Sequence, residues 1–394
     1  MRIGLDVRYL SHALTGGVRT YVYHLAKELP RLAPQHEFYF YADAKAPFEL
    51  ALLPDNVVLQ VLSWTSPFSS LRNDRAIGRL MERDHVDVGH CPANYGPRTD
   101  VPLVVTLHDT LNLFPMSQHL RGFGRRPRQV ALMLYLGRKT RATLARANRL
   151  ITVSHHARND IAAKSGYPVD NIDVTYEAAS EEFRVIDERR ILESCRVRHK
   201  LGRRFVLADG IKNAGATIDA YKSLPEHLKR CTQLVFFSRE PNPRPAVAAA
   251  LDDPGIRFLS RPTTPDLAAL MNLATVFAFP SWYEGFGLPL VEAMKCGLPI
   301  VASSRAAIPE IVGDAGLIFD LDARDGFRRQ LRTLLENERL RSEMARKALT
   351  RAAMFSWRET ARRTAAVYES VRATCVTTAN TTEFNDAGAV YQNE

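Results

Sequence analysis

Short apolar runs alternate with longer stretches in which apolar positions recur every three to four residues. In the first half the runs are Arg2–Val7, Glu37–Tyr41, Val57–Leu62, Val86–His90, Leu103–Leu107 and Arg149–Val153. Helical patterns separate them, the first over Thr20–Leu29. Runs this short, mainly apolar and bounded by turn residues predict the strands of a parallel sheet. Alternating with helices, they predict a doubly wound α/β unit. The charged stretch Ser180–Arg204 carries little strand signal, and after it the pattern restarts. Phe205–Ala208, Thr232–Phe237, Ile256–Leu259, Val276–Phe279, Pro299–Ala302 and Leu317–Phe319 predict a second such unit. The expected organisation is therefore an N-terminal domain over 1–180, a linker over 181–204 and a C-terminal domain over 205–355. A helix over 356–372 and a disordered tail over 373–394, polar and uncapped, complete it. Two doubly wound domains are expected to place the carboxyl ends of their strands around one cleft, where α/β sheets bind ligands.

The most informative segment runs from Val276 to Gly297. Pro280 stops a buried strand, Pro289 suits a first helical turn, and Gly297 closes the helix. Gly285 and Gly287 let a ligand approach the backbone, so the amides of Gly285, Phe286, Gly287 and Leu288, with the helix dipole, form a site for phosphate or sugar oxygens. Glu284 enters this turn and Glu292 follows in the first helical turn, placed so that both carboxylates can face one ligand. Spacing alone also fits a solvated Glu284 and a dipole-favoured Glu292.

Glu284-Gly-Phe-Gly-Leu-Pro-Leu-Val-Glu292-Ala-Met, Gly297-Leu-Pro-Ile-Val-Ala-Ser and Ile308-Pro-Glu-Ile-Val-Gly-Asp-Ala-Gly closely resemble the E(x7)E signature region of the retaining family-4 glycosyltransferases of GT-B fold. That resemblance implies a GT-B arrangement and a nucleoside diphosphate sugar as donor substrate, with no separate cofactor. It also implies that Glu292 holds the nucleotide ribose and Glu284 a hexose hydroxyl. Phe355-Ser-Trp357 and the helix after it resemble the terminal helix that returns to the first domain in such proteins. His108-Asp109, at the end of the Leu103–Leu107 strand, matches the histidine that contacts the donor hexose in the family. A structural, hydrogen-bonded histidine is the alternative. Gly16-Gly17, after Thr15, resembles the family's glycine-rich loop bordering donor and acceptor, and ordinary turn chemistry would also use such a pair.

Negative charge accumulates on the departing diphosphate, and cationic side chains offset it. The family places an Arg and a Lys about five residues apart after the first strand of the second domain. Here Lys212-Asn213 fits the lysine, the residues carrying the arginine are missing, and Asp209 stands nearby. Arg239 is either the substitute or a solvated surface residue. Asp320-Leu-Asp322 has the DxD form, read as capping rather than as a metal site. Ser154 reads as an N-cap before His155-His156. No catalytic metal is expected.

Composition narrows the rest. A chain of 394 residues with 46% hydrophobic content suits two globular domains. No run reads as a membrane span, and the first residues lack the pattern of a signal peptide. Five scattered cysteines without CxxC or metal-ligand spacing read as reduced thiols of a cytoplasmic protein. Against a net charge of +10, nine cations and no acid fall between Arg121 and Arg149, among them Arg125, Arg126, Arg128, Arg138, Lys139, Arg141 and Arg146. Interleaved apolar residues, among them Phe123, suggest contact with an anionic membrane surface or a polyprenyl-diphosphate-linked acceptor. A helix packed by its apolar face, with a solvated basic face, is the plainer alternative. Nucleic acid is the disfavoured polyanion, for want of a binding motif.

The expectation is thus a retaining, metal-independent hexosyltransferase, mannosyltransferase-like, acting on a glycan or polyprenyl-linked glycan in surface polysaccharide assembly. A nucleotide-sugar epimerase of the same fold and a catalytically silent glycan-binding subunit are the alternatives.

Overall fold

The computed structural model describes residues 1–12, 16–50, 52–66, 68–114, 127–323 and 325–389. Two compact units divide the chain: Met1–Tyr176 together with the C-terminal segment from Trp357, and Glu177–Ser356. In the first unit, β1 (Arg2–Asp6), β2 (Glu37–Asp43), β3 (Val57–Leu62), β4 (Val88–Cys91), β5 (Leu103–Thr106), β6 (Arg149–Thr152) and β7 (Ile172–Val174) form a sheet ordered β3-β2-β1-β4-β5-β6-β7. In the second, β8 (Phe205–Asp209), β9 (Gln233–Ser238), β10 (Ile256–Ser260), β11 (Val276–Phe279), β12 (Ile300–Ser303) and β13 (Gly316–Phe319) form a sheet ordered β10-β9-β8-β11-β12-β13.

Every strand pair is parallel, as in the registers Ile3↔Phe38, Ile3↔Val88, Val276↔Val206 and Phe277↔Ile300. Parallel strands need crossover helices, and these cover both faces, which is why β4, β5, β8, β11 and β12 are buried throughout. In each sheet the chain winds outward in one direction, returns to the centre, and winds out in the other. The reversal falls between β1 and β4 in one unit and between β8 and β11 in the other. At such switch points the connections leave in opposite directions and open a crevice at the carboxyl ends of the strands.

Three features differ from the sequence expectation. β7 has three residues, too few for a recognisable apolar run. The stretch expected as a linker belongs to the second unit. Its helix Arg189–Arg198 packs on the helix Thr264–Leu273, and its only fully buried residue, Cys195, gives almost no apolar signal. Asn272 ties the approach to it, accepting from Ile186 N and donating to the Arg184 carbonyl at 2.9 and 2.8 Å. The last helix runs Trp357–Ala389, past the 372 limit expected for it. Its sequence after 373 is polar but contains neither glycine nor proline before Gly388, so the backbone has no breaker.

That helix packs against the helix Gly17–Leu32 within the first unit. Trp357 stacks on His24 at 4.5 Å between ring centroids, and Thr360 Oγ1 donates to the Tyr176 carbonyl at 2.5 Å. Tyr368, fully buried, shares a 2.6 Å hydrogen bond with His90 Nδ1, while His90 Nε2 meets Thr106 Oγ1 at 2.8 Å. Burial, reinforced by His108, pushes the His90 imidazole down to about 3.

Candidate functional site

β11 is four apolar residues, all buried, and Pro280 ends it because proline cannot continue a sheet ladder. The turn that follows reaches a helix at Leu288–Lys295, with Gly287 at its N-cap. Gly287 has φ +100°, a conformation L side chains rarely adopt, and a Cβ there would meet Leu290 Cδ1 at 3.0 Å. Glycine is thus required at 287 by both conformation and space. Glu292 is the fifth residue of the helix, placing it in the second turn rather than the first as expected. Phe286 and Leu288 bury their side chains, with Phe286 edge-on to Phe355, so only their backbone can serve a ligand.

Glu284 leaves this turn with its carboxylate held on two sides. Ser281 Oγ donates to Oε1 at 2.6 Å, and Lys212 Nζ lies 2.7 Å from the same oxygen. Ser303 Oγ in turn donates to the Ser281 carbonyl at 2.6 Å, so the first residue of the turn is pinned to the end of β12. Lys212 comes from the turn after β8, where Asp209 accepts from Ile211 N at 3.0 Å and Asn213 adopts φ +51° before the helix Ala214–Lys222. Glu284 and Lys212 therefore meet at the β8/β11 switch point of the second unit.

Glu292 is 4% exposed. Arg239, at the end of β9, reaches its Oε1 at 3.4 Å, while Oε2 is buried with no hydrogen-bond partner among the described residues. Burial raises the Glu292 carboxyl above its ordinary value against the pull of Arg239. Burial likewise raises Asp209, opposed by the Ile211 amide, Lys212 and Arg239. Three carboxylates and two cations thus share one crevice, and a buried acid with an unused oxygen is poised to accept a hydroxyl donor. Sequence reasoning left Arg239 open between surface and site, and the structure brings it to Glu292. It missed Ser281, whose serine-to-glutamate spacing in a turn was the available signal.

In the first unit His108 is 7% exposed and follows β5. Its Nε2 donates to the Pro92 carbonyl at 2.9 Å, its backbone N donates to Asn94 Oδ1 at 2.9 Å, and Tyr21 sets its ring edge-on at 4.8 Å. A carbonyl can only accept, so Nε2 carries the hydrogen and a neutral ring holds its lone pair on Nδ1. Asp109 turns to its own backbone, accepting from Leu111 N at 2.9 Å. Gly16 has φ +131° at the N-cap of the helix Gly17–Leu32, whose first residue is Gly17. Thr15 lies outside the described residues.

The remaining expectations divide. Asp320 accepts from Asp322 N at 3.1 Å and Arg305 reaches Asp322 at 2.5 Å, so this pair builds a turn and an ion pair; Asp325, not either of them, precedes the helix Gly326–Glu336. Ser154 caps its helix by accepting from Ala157 N at 3.0 Å. Cys195, His199 and Asp266 do bring donor atoms within 4.8 Å of one another, contrary to the expectation of no such spacing, but Arg198 holds Asp266 at 2.7 Å. Of the basic run, Arg121, Phe123, Arg125 and Arg126 lie outside the described residues, as does the side chain of Arg128. Lys139 pairs with Asp74 and Arg149 with Asp173, so those two cations are spent inside the fold.

Two family models cover most of the chain: "Glycosyltransferase Family 4" over residues 15–182 and "Glycosyl transferases group 1" over 206–337. The chain is 28% identical over 296 residues to the O-antigen chain mannosyltransferase B of Escherichia coli, covering 73% of this chain and 75% of that protein. It is 30% identical over 278 residues to the serotype-specific mannosyltransferase WbdA of Escherichia coli, covering 67% of this chain but 33% of that longer protein. Among solved structures, WaaG, a glycosyltransferase involved in lipopolysaccharide biosynthesis, superposes with a TM-score of 0.69 at 17% identity, over 93% of this chain and 99% of that one. The fold is the GT-B fold of glycosyltransferases. The chain belongs to the family-4, group 1 glycosyltransferases, and it is a glycosyltransferase.

Proposed function

We propose that the protein transfers a hexose, with mannose the best candidate, from a nucleoside diphosphate sugar to a glycan or lipid-linked glycan during polysaccharide assembly, with retention and without a metal. The carrying observation is the crevice at the β8/β11 switch point, where Lys212 meets Glu284 and Arg239 meets Glu292 beside a glycine-built turn. The two mannosyltransferase relatives support the sugar and the setting.

In this reading the donor exchanges partners with resting ion pairs. Glu292 takes the ribose hydroxyls on its unused oxygen. Glu284 releases Lys212 and accepts a hexose hydroxyl, still steadied by Ser281. Lys212 and Arg239, with the amides of Gly285 to Leu288, turn to the diphosphate, whose charge grows as the anomeric C–O bond breaks. Arg239 thereby takes the place of the arginine missing before Lys212. His108 orients the hexose, and Gly16-Gly17 borders it. The acceptor hydroxyl attacks on the face the diphosphate leaves, and its proton passes to the departing phosphate oxygen, so no side chain is needed as covalent nucleophile.

Incubating the protein with GDP-mannose, GDP-glucose, UDP-glucose and UDP-galactose and reading the rise in melting temperature identifies the donor. Product analysis with a mannan oligosaccharide then separates transfer from epimerisation, which needs no acceptor. No shift with any nucleotide sugar would leave the silent glycan-binding subunit as the better reading.

A further inference from the structure

The helix Arg189–Arg198, to which the proposed transfer gives no role, ends in a group of metal-ligand side chains. Cys195 and His199 stand four positions apart, and the His199 amide donates to the Cys195 carbonyl at 3.0 Å. The turn therefore stays helical and both side chains leave on one face. That face meets Asp266, in the first turn of the helix Thr264–Leu273. The Cys195 sulfur, an imidazole nitrogen of His199 and a carboxylate oxygen of Asp266 lie within 4.8 Å of one another. Atoms that close surround a point about 2.8 Å or less from each, and zinc bonds of about 2.0–2.3 Å ask each ligand to close in by roughly half an ångström.

Two of the three donors are unspent. His199 Nε2 is buried with no hydrogen-bond partner among the described residues, 4.0 Å from Asp266 Oδ1 and so beyond hydrogen-bond reach. Cys195 is a free thiol on a buried residue, and its sulfur makes no hydrogen bond among the described residues. Asp266 is partly engaged. Its Oδ2 accepts from Thr263 Oγ1 at 3.0 Å, which fixes the carboxylate, and its Oδ1 accepts from Arg198 at 2.7 Å. The second partner is removable: the Arg198 side chain is 58% exposed, and exposed pairs of this kind contribute little, so an ion arriving at Oδ1 displaces it into solvent. A pocket of about 480 Å3, lined by Ser194, Cys195, Arg198, Thr263 and Asp266 among others, opens beside the group. It gives an ion a way in and leaves room for water as a fourth ligand.

A thiolate, an imidazole and a carboxylate together select a borderline ion over magnesium or calcium, which take oxygen ligands. We infer that Cys195, His199 and Asp266 bind one zinc ion, the thiol giving its proton to water as the sulfur–metal bond forms. The ion pins the end of the helix Arg189–Arg198 to the start of the helix Thr264–Leu273, which otherwise meet there through the exposed Arg198. Its work is to hold structure, so it stands apart from the transferase reading and leaves the proposed transfer metal-independent.

Equilibrium dialysis of the full chain against micromolar zinc, followed by metal analysis and thermal melting, tests it. Wild-type protein is expected to retain one zinc per chain, to melt higher with zinc than with EDTA, and to keep the ion in excess magnesium. Cobalt in place of zinc should give a near-ultraviolet thiolate-to-cobalt band, which Cys195→Ser abolishes. His199→Gln should weaken zinc binding about a hundredfold or more, because losing an outer-shell partner alone costs roughly 10–100-fold. Arg198→Ala frees Asp266 Oδ1 and should bind zinc up to about fivefold tighter, the opposite of what removing a mere surface contact would do. No zinc retained, a cobalt complex without the thiolate band, or undiminished binding in both Cys195→Ser and His199→Gln overturns the inference. The melting shift given by the nucleotide sugar should be the same in Cys195→Ser as in wild type, so the donor reading stands or falls separately.

Discussion

Glu292 sets stability against function within one carboxyl group. Its folded-state acid strength is weakened by burial, so the folded protein keeps the proton to a higher pH than the unfolded chain does. The stability this confers is full below the unfolded value and is lost as pH rises through the raised one. Glu292→Gln should therefore raise the melting temperature at pH 7.5, by about 2–4 °C for each kcal/mol recovered. The same change should weaken nucleotide-sugar binding by roughly ten- to a hundredfold, the scale of a lost charge-assisted bond. Paired calorimetry and donor titration check it; a variant that is neither more stable nor weaker in binding would refute the assignment. His90 has the opposite sign. Its imidazole is depressed to about 3 from 6.5, so the unfolded chain takes up the proton first and stability falls as pH drops below 6.5. The slope is about 1.4 kcal/mol per pH unit for this one group. Urea midpoints between pH 6.5 and 4.5 should fall less steeply in His90→Gln than in wild type.

At the scale of elements, the C-terminal helix is held, among the residues whose side chains are described, by contacts early in it. Trp357, Thr360 and Tyr368 make the described bonds and ring contacts to the first unit, and Val371 is the last buried residue among those whose side chains are described. A chain ending at Cys375 keeps all of these contacts and should therefore still fold, which a cooperative thermal melt checks. Tyr368→Phe should cost about 1–3 kcal/mol by leaving His90 Nδ1 buried without its partner, read from urea midpoints. The helix also marks where sequence reading stops. Six strands of each sheet were legible because parallel strands are written as short, mainly apolar runs, unbroken in central strands such as β11 and β12 that are buried throughout. β7, at three residues, and the charge-covered helix Arg189–Arg198 were not, since neither leaves a periodic trace. In the site, Glu284, Glu292 and Lys212 stand in recognisable local strings. Arg239 does not, because residues 239 and 292 become neighbours only through the order of strands in a sheet.

For the whole molecule, charge is the quantity to test. If Lys212, Arg239 and backbone amides carry the diphosphate, activity should persist in excess EDTA, and loss that manganese restores would instead require a metal. Leu132, Leu134 and Tyr135 are exposed on the helix Pro127–Leu144, within the basic run of a chain of net charge +10. Co-sedimentation with phosphatidylglycerol vesicles should accordingly be strong at low salt and fall as the Debye length shrinks from about 30 Å at 0.01 M to about 8 Å at 0.15 M. Absence of binding at low salt would point to a freely diffusing acceptor. No helix among the described residues is long and apolar enough to cross a membrane. Because the last helix lies with the first unit, the order of synthesis on the ribosome differs from the order in which the two units can be completed. Residues 177–356 are contiguous and can close their sheet as soon as they emerge, whereas His90 waits for Tyr368, 278 positions later. At about 5–20 residues per second, that wait lasts roughly 14–56 s. The half made first is thus finished last, and it is the half a nascent-chain chaperone would have reason to hold.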